Sequence, residues 1–411
     1  MADAKTVMVL LMVITITGMS DMVCAAGFEW LDRDAPAMAI PEGARSVDVS
    51  TVDGLRRAVT DAKDGDVILV ADGTYELDGL LGFYGKRNVM LRGASGDPTK
   101  VILKGKSWDT VDPQDDILRI GDCESITVAH LTFTDCHAYG IKVEAERNPK
   151  DIHIYNCHFY NIATRAVKGS TSETGAAVGG SIRFCHFENL KIPSEEWQFG
   201  GNYISSIDMM ALEDWTVADN TFKNIKGATG GGRAAIFLWV RSKRLMVERN
   251  VIVDCDRGIA LGNPSGSTNY VEGIRHAEDS ICRNNVIRAG KDSGIELSWV
   301  DGVTVAHNSI YRSDAKGRGI RAIQKIGRLE IVNNLVRGRI LIEEEGAEAN
   351  IRGNVTGTLE GYFSDPGACD LRLTAQAIDA IDAGVPVAEV TEDFAGASRG
   401  SAPDVGAWES F

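Results

Sequence analysis

Nine segments of this chain repeat one pattern: an apolar residue, two variable ones, a small residue, a variable one and then an apolar residue. They are VAHLTF (128–133), IYNCHF (154–159), IRFCHF (182–187), VADNTF (217–222) and VERNVI (247–252). CRNNVI (282–287), VAHNSI (305–310), IVNNLV (331–336) and IRGNVT (351–356) complete the series. The fourth position reads Leu131, Cys157, Cys185, Asn220, Asn250, Asn285, Asn308, Asn334 and Asn354, with gaps of 26, 28, 35, 30, 35, 23, 26 and 20 residues. Such a period, broken by loop-sized insertions, marks a solenoid. Near-alternation and β-branched residues predict strands rather than helices of period 3.6.

Asparagine at one repeated corner selects among β-solenoids. In a parallel β-helix each winding lies about 4.8 Å above the last, so like side chains stack and amides bond up the column. Buried amides are tolerated when fully paired, which favours an unbroken run. The expected fold is therefore all-β, a single-stranded right-handed parallel β-helix. Spacing alone also admits a propeller, whose blades give no reason for such a column.

A second strand follows each ladder segment with an in-out-in pattern, from GIKVEA (140–145) through SIDMMA (206–211) to RILIEE (339–344). Ile141, Val167, Ile207, Ile236, Ile259, Ile295, Ile320 and Ile340 are expected to point inward. The next residue of each is expected to face out: Lys142, Lys168, Asp208, Phe237, Ala260, Glu296, Arg321 and Leu341. Insertions at 171–180, 191–205, 226–233 and 264–279 flank this strand and are expected to form cleft walls. An amphipathic helix over Thr51–Lys63, with Leu55, Ala58, Val59 and Ala62 on one face, is expected to cap the first winding. Residues 362–411 are expected to cover the other end, since open sheet edges invite aggregation.

With 44% hydrophobic residues among 411, the chain is too apolar for disorder despite 44 glycines. Lys5, the apolar run Val7 to Thr17 and small residues Cys24, Ala25 and Ala26 predict an export segment over 1–26, too short to span a bilayer comfortably. The expected organisation is thus 1–26 signal, 27–361 coil with its cap, and 362–411 C-terminal cap, in an exported monomer. A formal net charge of −15 disfavours nucleic acid and anionic membranes. Of the eight cysteines, seven follow the cleavage point. An odd number argues against a complete disulfide framework, and buried free thiols suit the ladder, although Cys157 and Cys185 stack within bonding reach.

The opening helix, GDVILVADGTY (65–75) and VMLRGASGDPTKVILKG (89–105) resemble β-helix proteins of the pectin-lyase-like superfamily. The closing IDAG (381–384) and PDVGAWE (403–409) resemble endings common among its secreted bacterial members. The opening is also similar to the calcium-dependent alginate lyase and chondroitinase B group. That group's lysine–arginine motif is not placed here, nor is the aspartate–proline–histidine motif of β-helix epimerases. The resemblance implies fold across nearly all of the mature chain; chemistry must be argued from the site.

If the outward column lines a cleft, Lys142, Lys168 and Asp208 fall on successive windings. Two stacked ammonium groups disfavour each other's charge, as a general base requires. Polyuronate lyases need such a base, and a cation against the sugar carboxylate. The expected catalytic set is therefore Lys168 as base, Lys142 in support and Arg321 in a second cluster with Glu296. Asp208 is the expected calcium ligand or orienting group, and calcium the cofactor if there is one. Trp197, Trp239 and Trp299 are expected to stack on sugars, with Glu144 and Glu296 binding substrate. The bland alternative is charge pairing on an ordinary exposed sheet.

A glycoside hydrolase wants carboxylates about 5–10 Å apart. Asp208 and Glu296 are three windings apart, roughly 14 Å, so that reading ranks third, behind a polysaccharide lyase and a non-catalytic carbohydrate-binding or surface-structural protein. His158 and His186 stack in outward slots, and Asp109, Asp112, Asp115 and Asp116 form an acidic loop without EF-hand spacing.

Overall fold

In the computed structural model, which describes residues 33–170, 173–265 and 274–410, the chain winds through three long parallel sheets. The expected export segment lies outside the described residues. The first sheet starts at Arg45–Val49 and Asp66–Val70 and ends at Ala349–Arg352; the second runs from Gly73–Glu76 to Val355–Gly357. The third stacks Leu81–Tyr84, Asp116–Gly121, Tyr139–Glu144, Arg165–Ser170, Ser205–Met210 and Ala234–Trp239, then continues to Arg339–Ile342. Among the described residues the one antiparallel strand pair is Phe363–Asp365 with Asp370–Leu373.

Each ladder segment straddles a corner between the first and second sheets. The residue before the ladder position is left-handed: His130, Asn156, Phe184, Asp219, Arg249, Asn284, His307 and Asn333 have φ between 46° and 61°. One such residue turns the chain and aims the next side chain inward. Asn220 Nδ2 donates to Asn250 Oδ1 at 3.0 Å, and Asn250 repeats this to Asn285 at 3.0 Å. Asn285, Asn308 and Asn334 continue the column at 2.9 Å each, ending on Asn354. Two positions on, Phe133, Phe159, Phe187 and Phe222 stack with centroids 4.7–5.1 Å apart. The described cysteines, Cys157 and Cys185 among them, are buried free thiols.

The cap helix spans Val52–Thr60, with Leu55 and Val59 buried. Thr51 caps it, its hydroxyl accepting from the Gly54 amide at 3.1 Å. Thr51→Ala should cost about 1 kcal/mol, read as a lowered urea midpoint. Strand Arg45–Val49 pairs with Asp66–Val70, so the coil begins before the helix rather than after it.

The C-terminal segment differs from expectation. It turns back along the flank, where Asn284, His307 and Asn333 side chains meet the carbonyls of Glu392, Asp404 and Val385. Phe363, Leu371, Phe394 and Val405 cover Val251, Val253, Val286 and Leu335 on the outside of the second sheet. Those outward positions are apolar and must be covered. The last winding keeps Ile351 46% exposed. Residues from Arg33 onward cover the earlier corners: Pro36 O accepts from Tyr155, Met38 O from Arg92, and Arg33 meets Asp219 at 3.0 Å and Phe394 O at 2.7 Å. No helix of the described residues is long and apolar enough to cross a membrane.

Candidate binding and active site

The third sheet carries the expected column in register. Arg119 pairs with Lys142, Lys142 with Lys168, Lys168 with Asp208 and Asp208 with Phe237. Ala260, Glu296, Arg321 and Leu341 follow in order. Asp208 and Glu296 are thus three strand steps apart. The outward face is not open, however. Lys168, Asp208, Phe237, Ala260 and Glu296 are all buried, because charges pair across windings and other side chains cover them.

Asp208 is the hub. Arg165 Nε lies 2.5 Å and Lys168 Nζ 3.2 Å from its Oδ2, while the Trp239 indole N–H donates to Oδ1 at 2.9 Å. Burial alone would raise this carboxyl, but Lys168, then Arg165 and Trp239, outweigh it and hold it at about 2. The Arg165 guanidinium lies 3.7 Å from the Tyr203 ring centroid and is fully buried. Arg233 stands in the same electrostatic neighbourhood, half-buried, and makes no ion pair among the described residues. Burial, with Arg165 and Arg257 near by, pulls its guanidinium below the ordinary range. Two cations therefore share one carboxylate, with a third near by.

Elsewhere on the face, Arg119, Lys142, Arg147, Arg257 and Arg321 each lie against a carboxylate. Lys142 lies 3.9 Å from Glu144, which Arg147 holds at 2.8 Å and Arg119 approaches at 3.9 Å. Arg321 meets Glu343 at 2.7 Å and Glu296 at 3.5 Å, and Arg257 meets Glu296 at 3.1 Å. Burial raises the Glu296 carboxyl despite these arginines. An unopposed ammonium stack is thus not what the fold builds: Lys142 and Lys168 each face a carboxylate.

Trp239 is also corrected. At 8% exposure it is a buried clamp, stacked on Phe237 at 5.1 Å, rather than an open platform. Trp299 is half-buried and stacks on His276 at 5.6 Å. Trp197 keeps its expected place in a wall: with His137, Tyr139 and Tyr203 it lines a cavity of about 320 Å³ at the corner leading into the third sheet. Burial, more than any neighbour, keeps the Tyr139 phenol well above its usual range, hence protonated.

Calcium does not fit at Asp208, whose oxygens already face two cations and an indole N–H. No cluster of metal-ligating side chains occurs among the described residues. In the acidic loop Asp109 pairs with Lys191, Asp112 with Lys106 and Asp116 with Arg119, and Asp115 accepts from the His137 amide. His158 and His186 do stack, 5.5 Å apart, with His186 on Glu188 at 3.2 Å.

Arg119, Arg165, Arg233, Tyr139 and Tyr203 were not singled out from the sequence. Arg119 was findable, since Leu118-Arg119-Ile120 repeats the in-out-in pattern one winding earlier. Arg165 and Tyr139 open their strands in mutual register, before that pattern starts. Arg233 and Tyr203 sit at the ends of insertions that carry no periodic signal.

This winding, with its inward ladder and three parallel sheets, defines a right-handed parallel β-helix protein. Residues 116–336 match the family model described as right handed beta helix region, and the chain belongs to that family. Among solved structures it is similar to the pectate lyase Pel9A, at 13% identity and a TM-score of 0.46, over 86% of this chain and 90% of that one. It is similar to a PL6 alginate lyase in complex with a trisaccharide, at 13% and 0.43, over 81% and 83%. A mutant tailspike protein of the E. coli bacteriophage HK620, in complex with a pentasaccharide, matches at 14% and 0.50, over 76% and 59%. At these identities the likeness is one of fold. No curated protein sequence matches.

Proposed function

We propose that this is an exported, carbohydrate-active β-helix protein whose third-sheet face binds an acidic polysaccharide and breaks it by β-elimination. One observation carries the reading: Arg165 and Lys168 share the single carboxylate of Asp208, and Arg233, close enough to feel Arg165 and Asp208, has no ion pair among the described residues, which leaves a local excess of positive charge inside a chain of net charge −15. Such a local excess suits a second anion, and a uronate supplies one. Arg233, the partly exposed arginine of the cluster, neutralises its carboxylate, which acidifies the neighbouring C–H. Lys168, as the free amine, takes that proton, and Asp208 orients it. Tyr139, a protonated phenol near by, is the proton donor for the leaving oxygen.

The ion pair between Lys168 and Asp208 favours a second reading, a non-catalytic binder in which Lys168 serves only as a cation. Incubation with a panel of polyuronates separates the two through the ultraviolet absorbance of unsaturated ends. The lyase reading expects product from at least one polymer. It also expects Lys168→Arg to keep the affinity and lower turnover by about two orders of magnitude or more. No product from any polymer, with binding intact, selects the binder.

A further inference from the structure

We infer that the cavity beside the Asp208 cluster binds a hydrophobic aryl or acyl substituent carried by the acidic saccharide. The cavity of about 320 Å³ is walled by Trp197, His137, Tyr139 and Tyr203. Its lining is mostly apolar, from Val111, Pro113, Ala138, Ala163, Pro193 and the Trp197 ring, and two of its polar groups are taken up by the protein: the Thr164 hydroxyl donates to Ala138 O at 2.5 Å, and His137 Nδ1 bonds Trp108 O at 3.0 Å. A sugar ring needs partners for its hydroxyl groups, and burying them unpaired is costly. An aromatic ring does not, and about 150 Å³ of apolar space holds one.

The mouth points the same way. Val111, which lines the cavity, is 62% exposed. Ile192 (52%) and Phe199 (61%) stand beside the lining residues Pro193 and Gln198 in the chain, and the Phe199 ring lies 5.4 Å from that of Tyr203. Apolar groups gathered at one place on a strongly anionic protein mark a binding surface. Tyr203 joins the two parts of the site, one wall of the cavity and the ring over Arg165. A ligand carboxylate held by Arg233, beside the Arg165 over which Tyr203 lies, would therefore carry its hydrophobic group into the cavity. The inference rests on the acidic-saccharide reading of this face for that carboxylate.

Calorimetric titration with phenyl β-glucuronide, methyl β-glucuronide and phenyl β-glucoside tests it. The phenyl glucuronide should bind about tenfold or more tightly than the methyl compound, as burial of a phenyl group implies. Trp197→Ala, and the surface variant Val111→Asn, should each shrink that advantage, and Val111→Asn should leave methyl β-glucuronide affinity unchanged. Equal affinities for the two glucuronides, or an advantage that survives both variants, would overturn the inference and leave the acidic-saccharide reading standing. Phenyl β-glucoside binding as tightly as phenyl β-glucuronide would keep the cavity but overturn the coupling to a carboxylate, and with it that reading. Absence of binding by all three would overturn both.

Discussion

Replacing Asp208 by asparagine is expected to destabilise the protein by about 3–5 kcal/mol at neutral pH, because it strands Arg165 and Lys168 as buried cations without their anion. The side chain is 1% exposed, so water cannot substitute for the lost charge. The loss should depend on pH. The folded carboxyl is held at about 2, below its unfolded value near 4. Its stabilisation, about 2–3 kcal/mol from this shift, is complete above the unfolded value and disappears as pH falls through the folded one. Urea titrations of the two proteins should therefore converge between about pH 4 and pH 2. A gap that stays constant over that range, or one under about 1 kcal/mol at neutral pH, would show that the cluster is not coupled as described.

Asn285→Ala should cost about as much, for a different reason. Asn285 Oδ1 accepts from both the main-chain and side-chain nitrogens of Asn250, at 3.0 Å each. Its Nδ2 serves Asn308 Oδ1 at 2.9 Å and the Val247 carbonyl at 3.0 Å. Deletion leaves several buried groups unsatisfied at about 1–3 kcal/mol each, partly offset by relaxation, for a total of about 3–5 kcal/mol. Asn354 ends the column, half-buried, and Asn354→Ala should cost only about 1 kcal/mol. Chemical denaturation of both variants checks the gradient; equal losses would mean that the column adds nothing beyond its separate hydrogen bonds.

The ladder and the inward isoleucines were legible because a parallel coil repeats one environment at every winding. Any residue type that suits that environment then recurs at a regular interval. The corners were hidden, since the left-handed residue varies from His130 through Phe184 to Arg249, and a glycine, Gly353, stands only at the last of them. The register of Lys142, Lys168 and Asp208 could be read, but not their burial. Burial depends on partners such as Arg165, which opens its strand before the in-out-in pattern, and on irregular loops. The same limit applied to Trp239, whose alternation placed it outward while Phe237 and Asp208 gave it neighbours on that side. It applied equally to the C-terminal segment, whose place on the flank depends on side chains of the second sheet that face away from the core.

The most direct test of the anion-binding site compares an oligouronate with a neutral oligosaccharide of equal length, by calorimetry, on the intact protein and on Arg233→Gln. Arg233 has no carboxylate to lose, so the variant should fold normally. The acidic chain should bind at least about tenfold more tightly than the neutral one, and Arg233→Gln should weaken it about tenfold. Equal binding of the two saccharides, or an oligouronate affinity indifferent to Arg233, would contradict the account.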